Sequence, residues 1–416
     1  MIWLKSFQIY ITINQYNNVT RSIAMALVRI SNNVYNVGVL NPFLRCNSLN
    51  KGCRFGTTYN SYLIDDRATA LIDIVESSFY DDFQYNLGLV CDIGAIDYLI
   101  LNRIAPQQAE SIERLLKTSP KTTIVCTEIG KRLLDNILGF EYSCVTVGDG
   151  DKLNLGNSML EFISAPMLPT PDSMCTYFEN DGVLFSGSMF SADFCEPNGN
   201  DESIRFFDEY ISELKSYFDF YFIQLKGFVN DTLSLLEEKQ VYSIAPINGP
   251  VVVDNTDNVI AYYKEWAVEA KGKSAVVLYS SASGYTKQLA NAVYEAFNEK
   301  AIKAEIIDMN TATPEQCALA LENATYIAVG TGTINRDAPA KAWVALSKIM
   351  CINTEHKSFF AFGSYGWTGE GTDAVDLRLR QCGFSQYAEP FKVCMKPTAE
   401  DLQQIKAIAT QMVEEV

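Results

Sequence analysis

The chain has 416 residues, enough for two or three domains, and its 48% hydrophobic and 20% charged content is that of a packed globular protein. Fifty acidic against 33 basic residues give a net charge of −17, which repels a phosphate backbone and argues against a nucleic-acid partner. There is a single histidine, His356, so any mechanism that needs several imidazoles is excluded.

No apolar run approaches the roughly 18–20 residues of a membrane span. The opening MIWLKSFQIYITINQYNN is a poor secretory signal, because its apolar stretch is soon interrupted by Asn14 and Gln15. Residues 1–24 are expected to be a loosely packed or disordered extension, with Met25 as an alternative start. The 11 cysteines are scattered, odd in number and free of C-x-x-C spacing. Several lie in apolar runs such as TTIVCTE and FKVCMKP, where thiols serve as small buried hydrophobes, and a reducing cytoplasm is the expected location.

NVYNVGVL, TTYNSYLID and ATALIDIV follow one another with turn-sized gaps, as strands of a meander or mixed sheet do. IDYLILN then leads into a helix predicted at about Pro106–Lys117, and TTIVCTE into another. SMLEFISAP, GVLFSGS and the amphipathic ESIRFFDEYISELKSYF come later. The pattern predicts two sheets sandwiched between helical layers. A helix is predicted over Thr256–Lys271, joining the halves, with Gly272 ending it.

From Ser274 the period is clearest. SAVVLY, AEIIDMN, TYIAVGTGT, SFFAFGSYG and FKVCM read as strands, each followed by a helical pattern. The second helix carries a start signature in Thr313, Pro314 and Gln316. Five βα units with short connections predict a doubly wound parallel sheet with helices on both faces.

Ligands of such sheets sit beyond the carboxyl ends of the strands. The first end carries Ser280, Ser281, Ala282, Ser283, Gly284, Tyr285 and Thr286. These small residues let backbone N–H groups converge on a phosphate at a helix N-terminus. The loop lacks the lysine of a nucleotide-triphosphate P-loop, which suits a terminal monophosphate held by neutral donors. Thr331, Gly332, Thr333, Ile334 and Asn335 follow the third strand, and Ser364, Tyr365, Gly366, Trp367 and Gly369 the fourth. Glycines permit close approach to the edge of a flat heterocycle, and Tyr365 and Trp367 are candidates to stack on its face.

SSASGYT, GTGTIN and above all AFGSYGWTGEG resemble the FMN-binding loops of the flavodiiron proteins (A-type flavoproteins). NVYNVGVLNPFLR, GTTYNSYLIDD, PMLPTPDSM, LFSGSMFS and IAPINGP resemble landmarks of that family's metallo-β-lactamase-like domain, so the likeness covers nearly the whole chain. The resemblance implies an αββα metallo-β-lactamase-like sandwich over 25–255, a linker helix over 256–273 and a flavodoxin-like five-stranded domain over 274–416. It also implies FMN, reduced by rubredoxin or by a flavin- or NADH-dependent reductase, and a head-to-tail homodimer or a heterodimer with a relative. Typical members reduce dioxygen or nitric oxide at a di-iron site.

The resemblance breaks at the metal ligands. Where the family has H-x-E-x-D-H, this chain has Arg103, Ala105, Gln107 and Gln108. Pro169, Ser188 and Asn248 stand at the three remaining ligand positions. Arginine stays protonated and has no lone pair to give, and proline and alanine have no donor at all. The expectation is no di-iron centre, no iron-dependent oxygen or nitric oxide reduction, and no catalytic or ligand role for His356. Asp172 and Ser173 are expected as turn-formers. Three readings follow: an FMN electron-transfer flavoprotein, a non-catalytic subunit paired with an intact relative, or a pocket in which Arg103, Gln107, Gln108, Ser188 and Asn248 hold a small anion.

Overall fold

The apolar runs of the first half build three sheets among the described residues, which in this computed structural model are 23–24, 28–47, 51–268, 272–349, 354 and 356–416. The chain divides into two units, Met1–Val268 and Glu269–Val416. In the first, a seven-stranded sheet is centred on Tyr62–Ile64, Ala70–Ile72, Tyr98–Ile100 and Thr123–Cys126, with Cys144–Thr146 at one edge. A five-stranded sheet runs Lys152–Asn154, Met159–Ser164, Met174–Phe178, Val183–Gly187 and Ser243–Pro246. Side chains alternate across each strand, and in the central strands those on both faces are largely buried. Tyr62, Ile72 and Ile100 meet Phe162, Phe178 and Phe185 of the other sheet. Leu63, Leu71 and Ile124 meet Phe83, Ile112 and Leu134 of the helices Tyr80–Gly88, Ala109–Thr118 and Glu128–Ile137.

NVYNVGVL reads as one strand but forms two. Val34–Asn36 pairs with Tyr62–Ile64, whereas Val39–Asn41 pairs with Thr57–Tyr59 in the separate three-stranded sheet. The two chain segments cross at Gly38, where a Cβ would lie 2.3 Å from the Tyr59 carbonyl oxygen and 2.7 Å from Asn60 Cα. Only glycine permits that approach. The predicted loose extension and the Met25 start fall outside the described residues, except that Ile23 and Ala24 pair antiparallel with Leu40 and Val39. The predicted helix over 256–271 is described as Thr256–Trp266, with Tyr263 buried against Phe190 and Phe218.

The second unit is a parallel sheet in the order Lys303–Asp308, Ser274–Tyr279, Tyr326–Gly330, Ser358–Tyr365, a doubly wound arrangement. The fifth position is split. Ser385–Gln386 pairs with the start of Ser358–Tyr365 and Phe391–Cys394 with its end. All five predicted βα units are present, the helices being Tyr285–Glu299, Pro314–Asn323, Ala340–Leu346, Glu370–Gln381 and Ala399–Glu415. Thr313 and Gln316 cap each other across the helix start, at 3.2 Å and 3.0 Å.

Candidate functional site

Tyr279, Gly330 and Phe362 lie in register on adjacent strands, so the three candidate loops of the second unit leave the sheet side by side. Ser280 is buried, its hydroxyl donating to Asn310 Oδ1 at 3.0 Å and its amide to the Gly330 carbonyl at 2.9 Å. The Ser281 hydroxyl accepts from the Gly284 amide at 3.1 Å, and Gly284 takes a left-handed φ of 82° before the helix Tyr285–Glu299. This turn aims the loop at the helix entry, whose first amides, those of Tyr285 and Thr286 included, have no intrahelical acceptor. Ala282 and Ser283 complete the turn.

Two hydrogen bonds tie the loops together. The Ser364 amide donates to Thr286 Oγ1 at 3.4 Å, and the Gly371 amide to Thr333 Oγ1 at 3.1 Å. Thr331 is fully buried, its hydroxyl turned to the Gly332 carbonyl, while Ile334 is half exposed and Asn335 has a positive φ of 52°. Ser364 Oγ donates to the Met395 carbonyl at 2.7 Å, and Tyr365 packs beside Gly369, where a Cβ would lie 3.2 Å from its ring. A Cβ at Gly366 would come no nearer than 4.0 Å to Met395. Trp367 is 89% exposed, a large apolar plane that the unit itself leaves uncovered. Asn310 is the loop-organising residue that sequence reasoning missed. Its position just after the second strand, beside the first loop, was the available signal.

In the first unit, the pocket positions gather where the strands of both sheets end. Arg103 follows Tyr98–Ile100, Ser188 follows Val183–Gly187, and Asn248 follows Ser243–Pro246. Among the described residues Arg103 makes no hydrogen bond or ion pair, and its Nε is buried without a partner. Its guanidinium is near enough to Asp73, Glu76, Tyr217 and Tyr221 to favour ionisation of each. Ser188 Oγ is also buried and unpartnered; it lies beside the Tyr217 phenol without the alignment of a full hydrogen bond. The Asn248 side-chain Nδ2 donates to the Thr58 carbonyl. Pro169 is half-buried at the end of a loop stretch closed by Asp172 and Ser173. Two of the five residues of the anion reading are turned elsewhere. Gln107 is exposed, and Gln108 spends both side-chain amide atoms on backbone groups, accepting from the Ala105 amide at the helix entry at 3.0 Å and donating to the Ile74 carbonyl at 2.8 Å. Proline at position 106 starts that entry, and the glutamine completes it. Asp172 does more than form a turn: its Oδ2 accepts from the Ile104 amide at 2.7 Å, pinning two pocket loops together.

Asp73 is fully buried, and burial pushes its carboxyl up to about 6, against two hydrogen bonds from Asn102 and the charge of Arg103. An unfolded aspartate titrates near 3.9. The folded pKa is the higher one, so this group's stabilising contribution is present below about pH 4 and is lost as the pH rises to about 6. A carboxyl-carbon NMR titration should place the Asp73 midpoint near 6, and Arg103→Met should move it upward. An unmoved midpoint would remove the guanidinium from this cluster.

A family model described as the ODP family beta lactamase matches residues 57–249, and a flavodoxin model matches 277–407. A flavo-diiron protein of Clostridium acetobutylicum is 31% identical over 91% of this chain and 96% of its own length. The chain belongs to the flavodiiron protein family. A type A flavoprotein of Rhodobacter capsulatus is 28% identical over 92% of this chain and 90% of its own length. The anaerobic nitric oxide reductase flavorubredoxin of Aliivibrio fischeri is 30% identical over 79% of this chain and 67% of its own length. The rubredoxin:oxygen oxidoreductase of Desulfovibrio gigas has the same fold, with a TM-score of 0.73 at 23% identity, over 94% of this chain and 98% of that one. The first unit is therefore metallo-β-lactamase-like and the second flavodoxin-like.

The side chains at the pocket positions offer a metal ion little. Arg103, Ala105 and Pro169 have no donor atom for a metal, Gln107 points to solvent, and the Gln108 amide is already engaged. Among the described residues no cluster of three or more His, Cys, Asp or Glu side chains is placed to hold a metal ion. His356 lies on an exposed turn of the flavodoxin-like unit. Sequence reasoning also missed Lys51 on a distant loop, Asp193 in the same loop as Ser188, and Tyr217 and Tyr221 on the helix Phe207–Tyr221, which are neighbours of this site. None of them carries a motif.

Proposed function

We propose that this flavodiiron protein is an FMN-dependent electron-transfer flavoprotein in which Arg103 and its neighbours have taken the place of the di-iron centre. The observation that carries the reading is the unpartnered guanidinium of Arg103 among Asp73, Glu76, Tyr217 and Tyr221. A fixed cation there repels a metal ion and supplies part of the charge neutralisation that buried carboxyls require. The residues present do not fit iron, since the side chains of Arg103, Ala105 and Pro169 have no lone pair to give and the Gln108 amide is engaged.

The flavodoxin-like loops do fit a flavin mononucleotide. Bound FMN supplies one- and two-electron exchange. The amides following Gly284, with the hydroxyls of Ser281 and Ser283, are suited to hold its phosphate. Thr331–Asn335 would approach one edge of the ring, and Tyr365 and Trp367 would cover its face. The electron donor proposed is rubredoxin or a flavin- or NADH-dependent reductase, in keeping with relatives named flavorubredoxin and rubredoxin:oxygen oxidoreductase. A cytoplasmic homodimer is the proposed form. No helix among the described residues is long and apolar enough to cross a membrane.

Reconstitution under anaerobic conditions with FMN and ferrous iron, followed by a visible spectrum and metal analysis, tests the reading. One flavin and no iron per chain is the expected result, and stoichiometric iron would overturn it. Trp367→Ala should weaken FMN binding about tenfold, the loss of roughly one stacking contact. Because the indole is exposed, the stability of the flavin-free protein should change by no more than about 0.5 kcal/mol. Titration of flavin fluorescence against each variant reads the difference.

A small anion in the Arg103 pocket is the second reading, favoured by the buried and unpartnered Arg103 Nε and Ser188 Oγ. Asp73, mostly ionised at neutral pH, and Glu76 weigh against it. A melting midpoint that climbs with the logarithm of nitrate or phosphate concentration would support it.

A further inference from the structure

Cys126 and Cys144 stand on neighbouring parallel strands, Thr123–Cys126 and Cys144–Thr146, with their sulfurs 3.8 Å apart. Cys144 is directly opposite Ile124, so it shares a face with Cys126, two residues further along. Both thiols look toward the helix Glu128–Ile137, Cys126 fully buried and Cys144 half-buried at the outermost strand of the sheet. Neither residue takes part in the flavin or pocket readings above. We infer that Cys126 and Cys144 form a peroxide-reactive dithiol that closes reversibly to a disulfide.

The surroundings divide the roles. The hydrogen bond from Cys126 and then the Lys131 ammonium hold Cys144 below the usual thiol range, against burial and the carboxylates of Asp135 and Glu128. Cys126 is held well above that range by its hydrogen bond with Cys144, by burial and by the nearby Asp172. Cys144, half-buried on the edge strand where peroxide can reach it, is the attacking thiolate, and the fully buried Cys126 is the resolving thiol. The thiolate of Cys144 attacks one oxygen of hydrogen peroxide, forming a sulfenic acid and releasing hydroxide. That hydroxide takes the Cys126 proton, giving water. The Cys126 thiolate then attacks the Cys144 sulfur and expels a second hydroxide, which leaves as water after taking a proton from solvent. Two thiols are oxidised, and one peroxide is reduced to two waters.

Diagonal positions on adjacent strands are on the order of 7–8 Å apart at Cα, slightly beyond the span of a relaxed disulfide. Closure therefore has to draw the edge strand inward. That strand is hydrogen-bonded to a neighbour on one side only, so it can give. A bond closed under such strain is readily reduced, which makes the pair a reversible site and not a permanent staple.

The test is made on the full-length reduced protein, treated with equimolar hydrogen peroxide, alkylated and digested with trypsin. Lys131 and Arg132 separate the two cysteines, so each falls on its own peptide. The expected product joins peptides 122–131 and 133–152 with the loss of two hydrogens, and dithiothreitol restores both thiols. In Cys126→Ser, Cys144 should accumulate a dimedone-reactive sulfenic acid. In Cys144→Ser, Cys126 should stay alkylatable. Recovery of both wild-type peptides unlinked and alkylated would overturn the inference, as would over-oxidation of Cys144 without linkage. The wild-type mapping needs no variant, so a folding defect in either substitution cannot decide the result.

Discussion

Replacing Gly363 by alanine should lower the unfolding free energy of the flavodoxin-like unit by about 3 kcal/mol or more. Gly363 sits near the end of Ser358–Tyr365, where the added Cβ would fall 2.0 Å from the Thr331 carbonyl oxygen and 2.3 Å from Thr372 Oγ1. One of these atoms is backbone and the other belongs to a buried threonine of the helix Glu370–Gln381, so neither can swing aside. The strand would have to withdraw from Thr331, the residue that opens the second candidate flavin loop. FMN affinity should therefore fall together with stability. Gly366→Ala is the control, since its nearest neighbour would be 4.0 Å away, and it should change stability by no more than about 0.5 kcal/mol. Urea unfolding followed by circular dichroism compares the two. Equal midpoints for G363A and the unmodified protein would mean that the strand ends are not packed as closely as described.

The second large effect is expected at Lys51. Its ammonium lies 2.8 Å from Asp193 Oδ2, with the two side chains 3% and 7% exposed, and Asp193 Oδ1 accepts from Thr57 Oγ1 at 2.9 Å. Lys51→Ala leaves a buried carboxylate without its cation and should cost about 3–5 kcal/mol. Removing both charges is a different experiment. Lys51→Met with Asp193→Leu replaces the pair by apolar groups of similar length, and most of that loss should be recovered. The thermal midpoints of the single and double variants give the comparison. If the double variant is as unstable as Lys51→Ala, the pair is a structural requirement and not merely a neutralised couple. The Lys51 ammonium also lies 5.9 Å from the centre of the Tyr217 ring, so the same variants test whether the Arg103 pocket depends on its wall.

Much of the fold was legible because local periodicity and tertiary burial agree. SAVVLY and SFFAFGSYG are near-continuous apolar runs because helices cover both faces of their sheet, and Thr313 with Gln316 marks a helix start by chemistry that needs no distant partner. The three candidate loops could be placed at neighbouring strand ends for the same reason, since strand, short loop and helix follow directly in the chain. What misled was long-range. NVYNVGVL has the composition of one strand, and only the crossing at Gly38, against Tyr59 and Asn60, divides it between two sheets. Gln107 and Gln108 look equivalent in sequence, yet the helix entry after Ala105 sends one to solvent and commits the other to the backbone.

Residue type and near-neighbour order alone were enough to reveal the two-unit α/β architecture and the family. Which polar groups face one another was decided only by tertiary structure. Arg103 among Asp73, Glu76 and Tyr217, Lys51 on Asp193, and Cys126 against Cys144 each join residues from separate segments. Such pairings follow from how strands line up across a sheet and how helices pack on it. No local pattern encodes that alignment, because it is set by the burial of apolar faces along the whole chain.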